Sequence, residues 1–317
     1  MPEPLVSIVI PLFNKVDWIT QTLTSVANQE YDNWECIIVD DGSTDGSFEL
    51  VCSLIERLPG KWRLIRQENS GQSVARNHGL ALASGDFVAL LDADDIWFKN
   101  KLTKQVAYMT RFQEVDILFT SYVIFEESLS APLRYIRFRS ASKMILRWLQ
   151  MYGFGGLIES TGLIRKTFLE TNGCFDLGLS TSSGLDVSIR GLIFGQVAVL
   201  KEALVGYRLS DDQWHKQLDE LSHNCLELSL RYGERLSSVR SIQQSQNAYF
   251  EWNKVRGARR TKPVQKLLIN IFTLNVTSIR MLSALIFRNL RSTALGFEHR
   301  RLLSQSIGQS TMPPDSQ

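Results

Sequence analysis

Three carboxylates within four residues, Asp92, Asp94 and Asp95 with only Ala93 among them, follow the apolar run Phe87 to Leu91. A chain patterned this way delivers concentrated negative charge at the point where it leaves the protein interior. Such a cluster is costly unless something positive is bound. Mg2+ or Mn2+, hard ions that share carboxylate and phosphate oxygens, would neutralise it. Taken alone, a two-aspartate motif is more often a solvated turn that caps the next helix. Two further polar clusters alter that balance, because each also ends a short apolar run. They are Pro11-Leu12-Phe13-Asn14 after Leu5 to Ile10, and Asp40-Asp41-Gly42-Ser43 after Cys36 to Val39.

The elements that must position these clusters can be read from periodicity. The runs Leu5–Ile10, Cys36–Val39, Trp62–Ile65, Phe87–Leu91 and Asp116–Ile124 have the length and β-branched content of buried strands. Between them, Ile19, Leu23, Val26 and Ala27 recur at helical spacing, as do Phe48, Val51, Cys52 and Ile55, whose helix Ser43 or Thr44 could cap. Ser73 to Ala83 also reads as a helix. Alternating strands and helices predict an α/β protein with a mainly parallel sheet covered on both faces. In such sheets ligands sit at the carboxyl ends of the strands, where the three clusters lie. Further strands are expected at Gly162–Arg165, Val197–Leu200 and Leu204–Arg208. They follow a basic, aromatic stretch from Arg134 to Trp148 and a glycine-rich turn from Gly153 to Gly156.

Composition narrows the class. With 317 residues, 44% hydrophobic and 21% charged, the chain can bury a full core and is neither disordered nor a multi-span membrane protein. Its net charge of +2 conceals an uneven spread: Lys254 to Leu303 holds eleven Lys or Arg residues against one acid, Glu298. The four cysteines show no CxxC pair, which speaks against a zinc site or disulfide framework and for a reducing compartment. The N-terminus lacks a basic region before its apolar run and is interrupted by Pro11, so residence in the cytosol is expected.

The segments VSIVIPLFNK, CIIVDDGSTDGS and NSGQSVARNHGLALASGDFVALLDADD together resemble the successive signatures of family 2 glycosyltransferases, in order and in separation. The resemblance covers residues 5 to 100 strongly and 160 to 210 weakly. It implies a GT-A fold with a nucleotide-sugar-binding half at 1–100 and an acceptor half at 101–215. Beyond these a helical, basic extension at 216–303 and a disordered tail at 304–317 are expected. It also implies that Pro11 and Phe13 lie along the nucleotide, that Asp41 accepts a hydrogen bond from the base, and that Arg76 faces base or phosphates. Asp92, Ala93, Asp94 and Asp95 would surround ribose and metal. Uridine diphosphate sugars are the commonest donors among such relatives.

In that family a Glu-Asp pair before a helix bearing an Arg supplies the general base. The matching stretch here is Ser183 to Arg190, with Leu185 in place of the Glu, which leaves Asp186 as candidate base and Asp176 as alternative. A carboxylate within hydrogen-bond reach of the attacking hydroxyl, opposite the leaving diphosphate, supports a single inverting displacement. Ser210 stands where many relatives carry His, and His215 lies five residues on.

Within Leu267 to Phe287 the polar residues fall along one helical stripe and the apolar ones on the other face. This amphipathic helix suits either the inner membrane surface, next to a lipid-linked acceptor, or packing on the catalytic domain or a second subunit. Its basic residues are not interleaved with aromatics, so nucleic-acid binding is not expected. A phosphatase built on strand-end aspartates would need an Asp-x-Asp-x-Thr pattern near its start, and a nicotinamide enzyme a GxGxxG after the first strand. Neither is present. A non-catalytic nucleotide-sugar-binding relative remains the alternative from another class.

Overall fold

The computed structural model describes residues 2–138, 140, 158–179, 182–209, 224, 227, 228, 231 and 232. The glycine turn at 153–156, Ser210, His215, the helix at 267–287 and the tail lie outside the described residues, as does most of the stretch from 134 to 148.

Strands β1 (Val6–Leu12), β2 (Trp34–Asp40), β3 (Trp62–Arg66) and β4 (Phe87–Leu90) pair in parallel in the order β3-β2-β1-β4. β1 and β4 are buried along their whole length. Continuous apolar runs have this outcome, because helices cover both faces of a parallel sheet. The connecting helices are α1 (Ile19–Ala27), α2 (Ser47–Ile55) and α3 (Gln72–Leu82). α3 lies close over the sheet at Gly79, where a Cβ would collide with Val9 and crowd Val39. That contact fixes the height of Arg76, one turn earlier.

The second half turns the sheet mixed. β8 (Leu163–Arg165) is antiparallel to β4 and to β6 (Ile117–Phe125), whereas β9 (Val197–Arg208) runs parallel to β6. β5 (Ile96–Trp97) and β7 (Arg134–Ile136) add antiparallel edges on β9 and β6. Helices α4 (Lys101–Arg111), α5 (Lys166–Asn172) and α6 (Ser183–Phe194) and a 3-10 turn at Glu159–Thr161 join these strands.

Two local expectations need correction. The pair of strands read at 197–200 and 204–208 is one strand, β9. It absorbs the polar Lys201-Glu202 interruption through register shifts against β6 between Thr120 and Tyr122. α2 begins at Ser47 behind Gly46, not behind Ser43 or Thr44. Both residues are already engaged with the neighbouring loop: Ser43 Oγ accepts the Asn14 N–H, and the Thr44 N–H donates to Asn14 Oδ1.

Candidate active site

The carboxyl ends of β1, β2 and β4 meet on one edge. After β1, Asn14 takes a positive φ of 50°, which the two hydrogen bonds from its partners in the β2 loop make tolerable. The turn leaves Phe13 44% exposed, a large ring at the mouth of the site, whereas Pro11 stays buried within the strand. After β2, the buried Asp40 holds Arg66 and the Ser43 N–H through one oxygen, while Oδ1 has no partner among the described residues. Asp41 accepts the Ser70 and Gly71 N–H groups, each at 2.9 Å, and Gln67 Nε2 at 2.8 Å. The residue read as a base contact thus also shapes the loop that starts α3.

After β4, the three aspartates separate into different roles. Asp92 is 22% exposed, and its Oδ1 accepts Arg76 Nη2 at 2.9 Å and Gln72 Nε2 at 3.0 Å. Asp94, 13% exposed, pairs with the Lys15 ammonium at 2.5 Å. Asp95 is fully buried, and both of its oxygens are engaged: Oδ1 accepts the Arg208 N–H and Oδ2 the Ser160 hydroxyl. Burial pushes the Asp95 carboxyl well above the ordinary carboxylate range, and Asp94 and Asp92 push the same way. Ala93 is buried, and its carbonyl accepts the Thr22 hydroxyl at 3.0 Å.

Arg208 braces this loop, a role that only long-range contacts reveal. Its Nε donates to the Asp94 carbonyl at 3.0 Å, and its guanidinium lies over the rings of Trp18 and Phe125. Among the described residues no group of three His, Cys, Asp or Glu side chains could hold a metal unaided. Asp92 and Asp94 are the accessible pair. Two carboxylates fit a hard divalent ion that completes its shell with diphosphate oxygens and water.

Arg76 is buried between acids. Nη2 meets Asp92, Nη1 lies 3.6 Å from Glu159 Oε1, and the guanidinium lies over the Phe175 ring. Burial opposes its charge, but Glu159 and Asp92 outweigh it and hold Arg76 above its ordinary range. Glu159 was not among the candidates read from the sequence. It opens a short 3-10 turn, Glu159–Thr161, that lies against the aspartate loop. Burial raises its carboxyl above the usual value, and Asp92 adds to the rise while Arg76 opposes it.

Asp186 lies in the first turn of α6 and is only 3% exposed. Its Oδ2 is gripped by Arg190 Nε at 2.9 Å and Nη2 at 2.8 Å, and its Oδ1 accepts the Tyr232 hydroxyl at 2.7 Å. Burial and Asp186 push that hydroxyl up to about 12, so it remains a donor. Arg190 in turn donates to the carbonyls of Asn172, Gly173 and Cys174, which ties α6 to the end of α5. Asp176, the alternative base, pairs with Arg231 at 2.6 Å, a hydrogen bond that holds its carboxyl below the usual range.

A match to the model of glycosyl transferase family 2 covers residues 7–171, more than half of the chain. The chain belongs to glycosyl transferase family 2. TuaG of Bacillus subtilis (strain 168), named for teichuronic acid biosynthesis, is 42% identical over 121 residues, 38% of this chain and 47% of the relative. The glycosyltransferase GlyG of Streptococcus pneumoniae is 31% identical over 125 residues, 39% of this chain and 41% of its own. The matches thus span less than half the length of these relatives. Among solved structures, a mannosyltransferase from Pyrobaculum calidifontis, in complex with GDP-Man and Mn2+, superposes with a TM-score of 0.61 over 88% of this chain and 83% of its own at 15% identity. Residues 1–349 of TarS from S. aureus, in complex with UDP-GlcNAc, give 0.59 over 78% and 71% at 18% identity. The fold is the GT-A fold expected from the motifs.

Proposed function

We propose that the chain transfers a sugar from a nucleoside-diphosphate sugar to a hydroxyl of a saccharide or lipid-linked acceptor, with inversion at the anomeric carbon. The observation that carries this reading is the convergence of three strand ends. They place an exposed ring (Phe13), a backbone-organising carboxylate (Asp41) and two accessible carboxylates (Asp92, Asp94) on one edge. Phe13 and Asp41 receive the nucleoside, Pro11 and Ala93 form the buried backbone beneath it, and Arg76 steadies Asp92. Asp92 and Asp94 would hold Mn2+ or Mg2+, which would supply charge neutralisation for the leaving diphosphate. Asp95 supports the loop from behind, anchored to Ser160 and Arg208.

The neighbours bound to UDP-GlcNAc and to GDP-Man make uridine diphosphate sugars and GDP-mannose the first donors to try. Among the described residues no helix is long and apolar enough to cross a membrane. We place the reaction in the cytoplasm, with the basic 216–303 segment as a candidate contact to the inner membrane surface or to a second subunit. A single displacement also needs a carboxylate to take the acceptor proton. The sequence suggests Asp186; the geometry adds Glu159.

The test is nucleoside-diphosphate release from a panel of UDP- and GDP-sugars, with Mn2+ and with chelator, water and simple saccharides serving as acceptors. Metal-dependent release from one donor supports the proposal. Binding without release from any donor would replace it with a non-catalytic nucleotide-sugar-binding role.

A further inference from the structure

We propose that Glu159 is the carboxylate that activates the acceptor hydroxyl, and that Gly184 exists to make room for it. This inference rests on the transferase reading above.

Three observations converge on Glu159. The first is position. Its Oε1 is 3.6 Å from Arg76, whose other arm is 2.9 Å from Asp92, so one guanidinium separates Glu159 from the donor-site carboxylate. The second is availability. Glu159 is 17% exposed, and among the described residues no side chain donates a hydrogen bond to it. Asp186, by contrast, has both oxygens occupied by Arg190 and Tyr232. A base needs a free lone pair aimed at the proton it takes.

The third is a built cradle. α6 passes Glu159 at Gly184, where a Cβ would collide with Oε1 and lie 2.6 Å from both Cγ and Cδ. Ser73 and Ser183 hydrogen-bond at 3.0 Å, so this end of α6 is fastened to the turn of α3 that carries Gln72, itself a partner of Asp92. The 3-10 turn is pinned as well. Trp97 Nε1 donates to the Ser160 carbonyl, Gln105 Nε2 to the Thr161 carbonyl, and the Asp92 N–H to Ser160 Oγ. These contacts fix the backbone that carries Glu159, and with it the point from which its side chain leaves the turn. Beside it lies a cavity of about 20 Å3 lined mainly by apolar side chains, among them Leu90, Phe119, Ile164, Phe175 and Val187, so the carboxylate is flanked by a dry wall on that side.

In the step, the acceptor oxygen bonds to the anomeric carbon and its proton passes to Glu159. The bond from that carbon to the β-phosphate oxygen breaks, and its electron pair leaves with the nucleoside diphosphate. Arg76 opposes the rise that burial imposes on the Glu159 carboxyl and so favours its ionised form.

The experiment compares Glu159→Gln and Gly184→Ala with the wild type, using two readouts: the thermal shift induced by UDP or GDP with Mn2+, and nucleoside-diphosphate release from the same sugar panel. We expect Glu159→Gln to keep the shift and lose about 10²- to 10⁴-fold in turnover. Gly184→Ala should lower turnover in the same direction, and the double variant should be no worse than Glu159→Gln alone, as for groups acting as a unit. Turnover of Glu159→Gln within about threefold of wild type overturns the proposal. So does joint loss of shift and turnover, which would make Glu159 a positioning partner of Arg76. If Glu159→Gln does not fold, wild-type turnover in Gly184→Ala overturns it. A wild type that binds nucleotide and turns over no donor refutes the transferase reading and this inference with it.

Discussion

Asp186→Asn separates a structural carboxylate from a chemical one. The side chain is 3% exposed and holds Arg190 through two nitrogens at 2.9 and 2.8 Å. Removing one partner of a buried pair leaves the other charge uncompensated, at a cost of about 3–5 kcal/mol. Arg190 retains three backbone carbonyls and the new amide oxygen can still accept from Tyr232, so the lower end, about 3 kcal/mol, is expected. For a folded unit of 150–250 residues, each kcal/mol moves Tm by about 2–4 °C, which gives a fall of roughly 6–12 °C. Thermal denaturation followed by circular dichroism reads this directly. At a temperature where the variant is folded, the nucleotide-induced shift should be retained, because Asp186 touches none of the donor-site side chains. A Tm change under about 2 °C, the scale of a surface substitution, would refute the structural assignment. If turnover were lost at the same time, Asp186 would be the base.

Four further outcomes follow from the same contacts. Phe13→Ala should weaken nucleotide binding by about 1–3 kcal/mol, the worth of a base stacked on an aromatic ring, with little change in Tm because the ring is 44% exposed; titration calorimetry checks the first and thermal denaturation the second. Lys15→Met should let the nucleotide-free protein take up Mn2+ about tenfold more tightly, since the ammonium now neutralising Asp94 competes with the ion; Mn2+ titration followed by electron paramagnetic resonance reads the change. Lys101 is fully buried over Trp97 and against Gln105, and burial drives its pKa well below 10.5. The unfolded chain therefore binds the extra proton, so wild-type stability relative to Lys101→Met should rise with pH between the depressed folded value and 10.5 and level off above it; a falling difference in urea melts across that range would contradict the assignment. Ser160→Ala should lower Tm by leaving the buried Asp95 oxygen and the Asp92 N–H without a partner, at about 1–3 kcal/mol.

The donor half was legible because its signals are local. Strand ends carry their own polar clusters, and a continuous apolar run such as Val6–Leu12 has few fates other than a doubly covered strand. Even there, the division of labour among Asp92, Asp94 and Asp95 was invisible, since it is set by Arg76, Lys15, Ser160 and Arg208 arriving from other parts of the chain. Lys15 gave no periodic signal. Nor did Glu159, which sits in a three-residue turn and acquires meaning only beside Arg76 and Gly184. The acidic residue that the sequence did highlight, Asp186, carries an i,i+4 partner in Arg190, a spacing as natural for a helix-stabilising pair as for a base. β5 was missed because two residues do not make a period.

The central claim is that the edge formed by Phe13, Asp41, Asp92 and Asp94 binds a nucleoside diphosphate together with a divalent ion. Thermal-shift measurements with UDP and GDP, with Mn2+ or with chelator, on wild type and Asp94→Ala test it most directly. One of the two nucleotides should raise the wild-type Tm in the presence of Mn2+, chelator should remove most of the shift, and Asp94→Ala should show no dependence on Mn2+. No shift from either nucleotide, or an equal shift with and without the ion in both proteins, would contradict it.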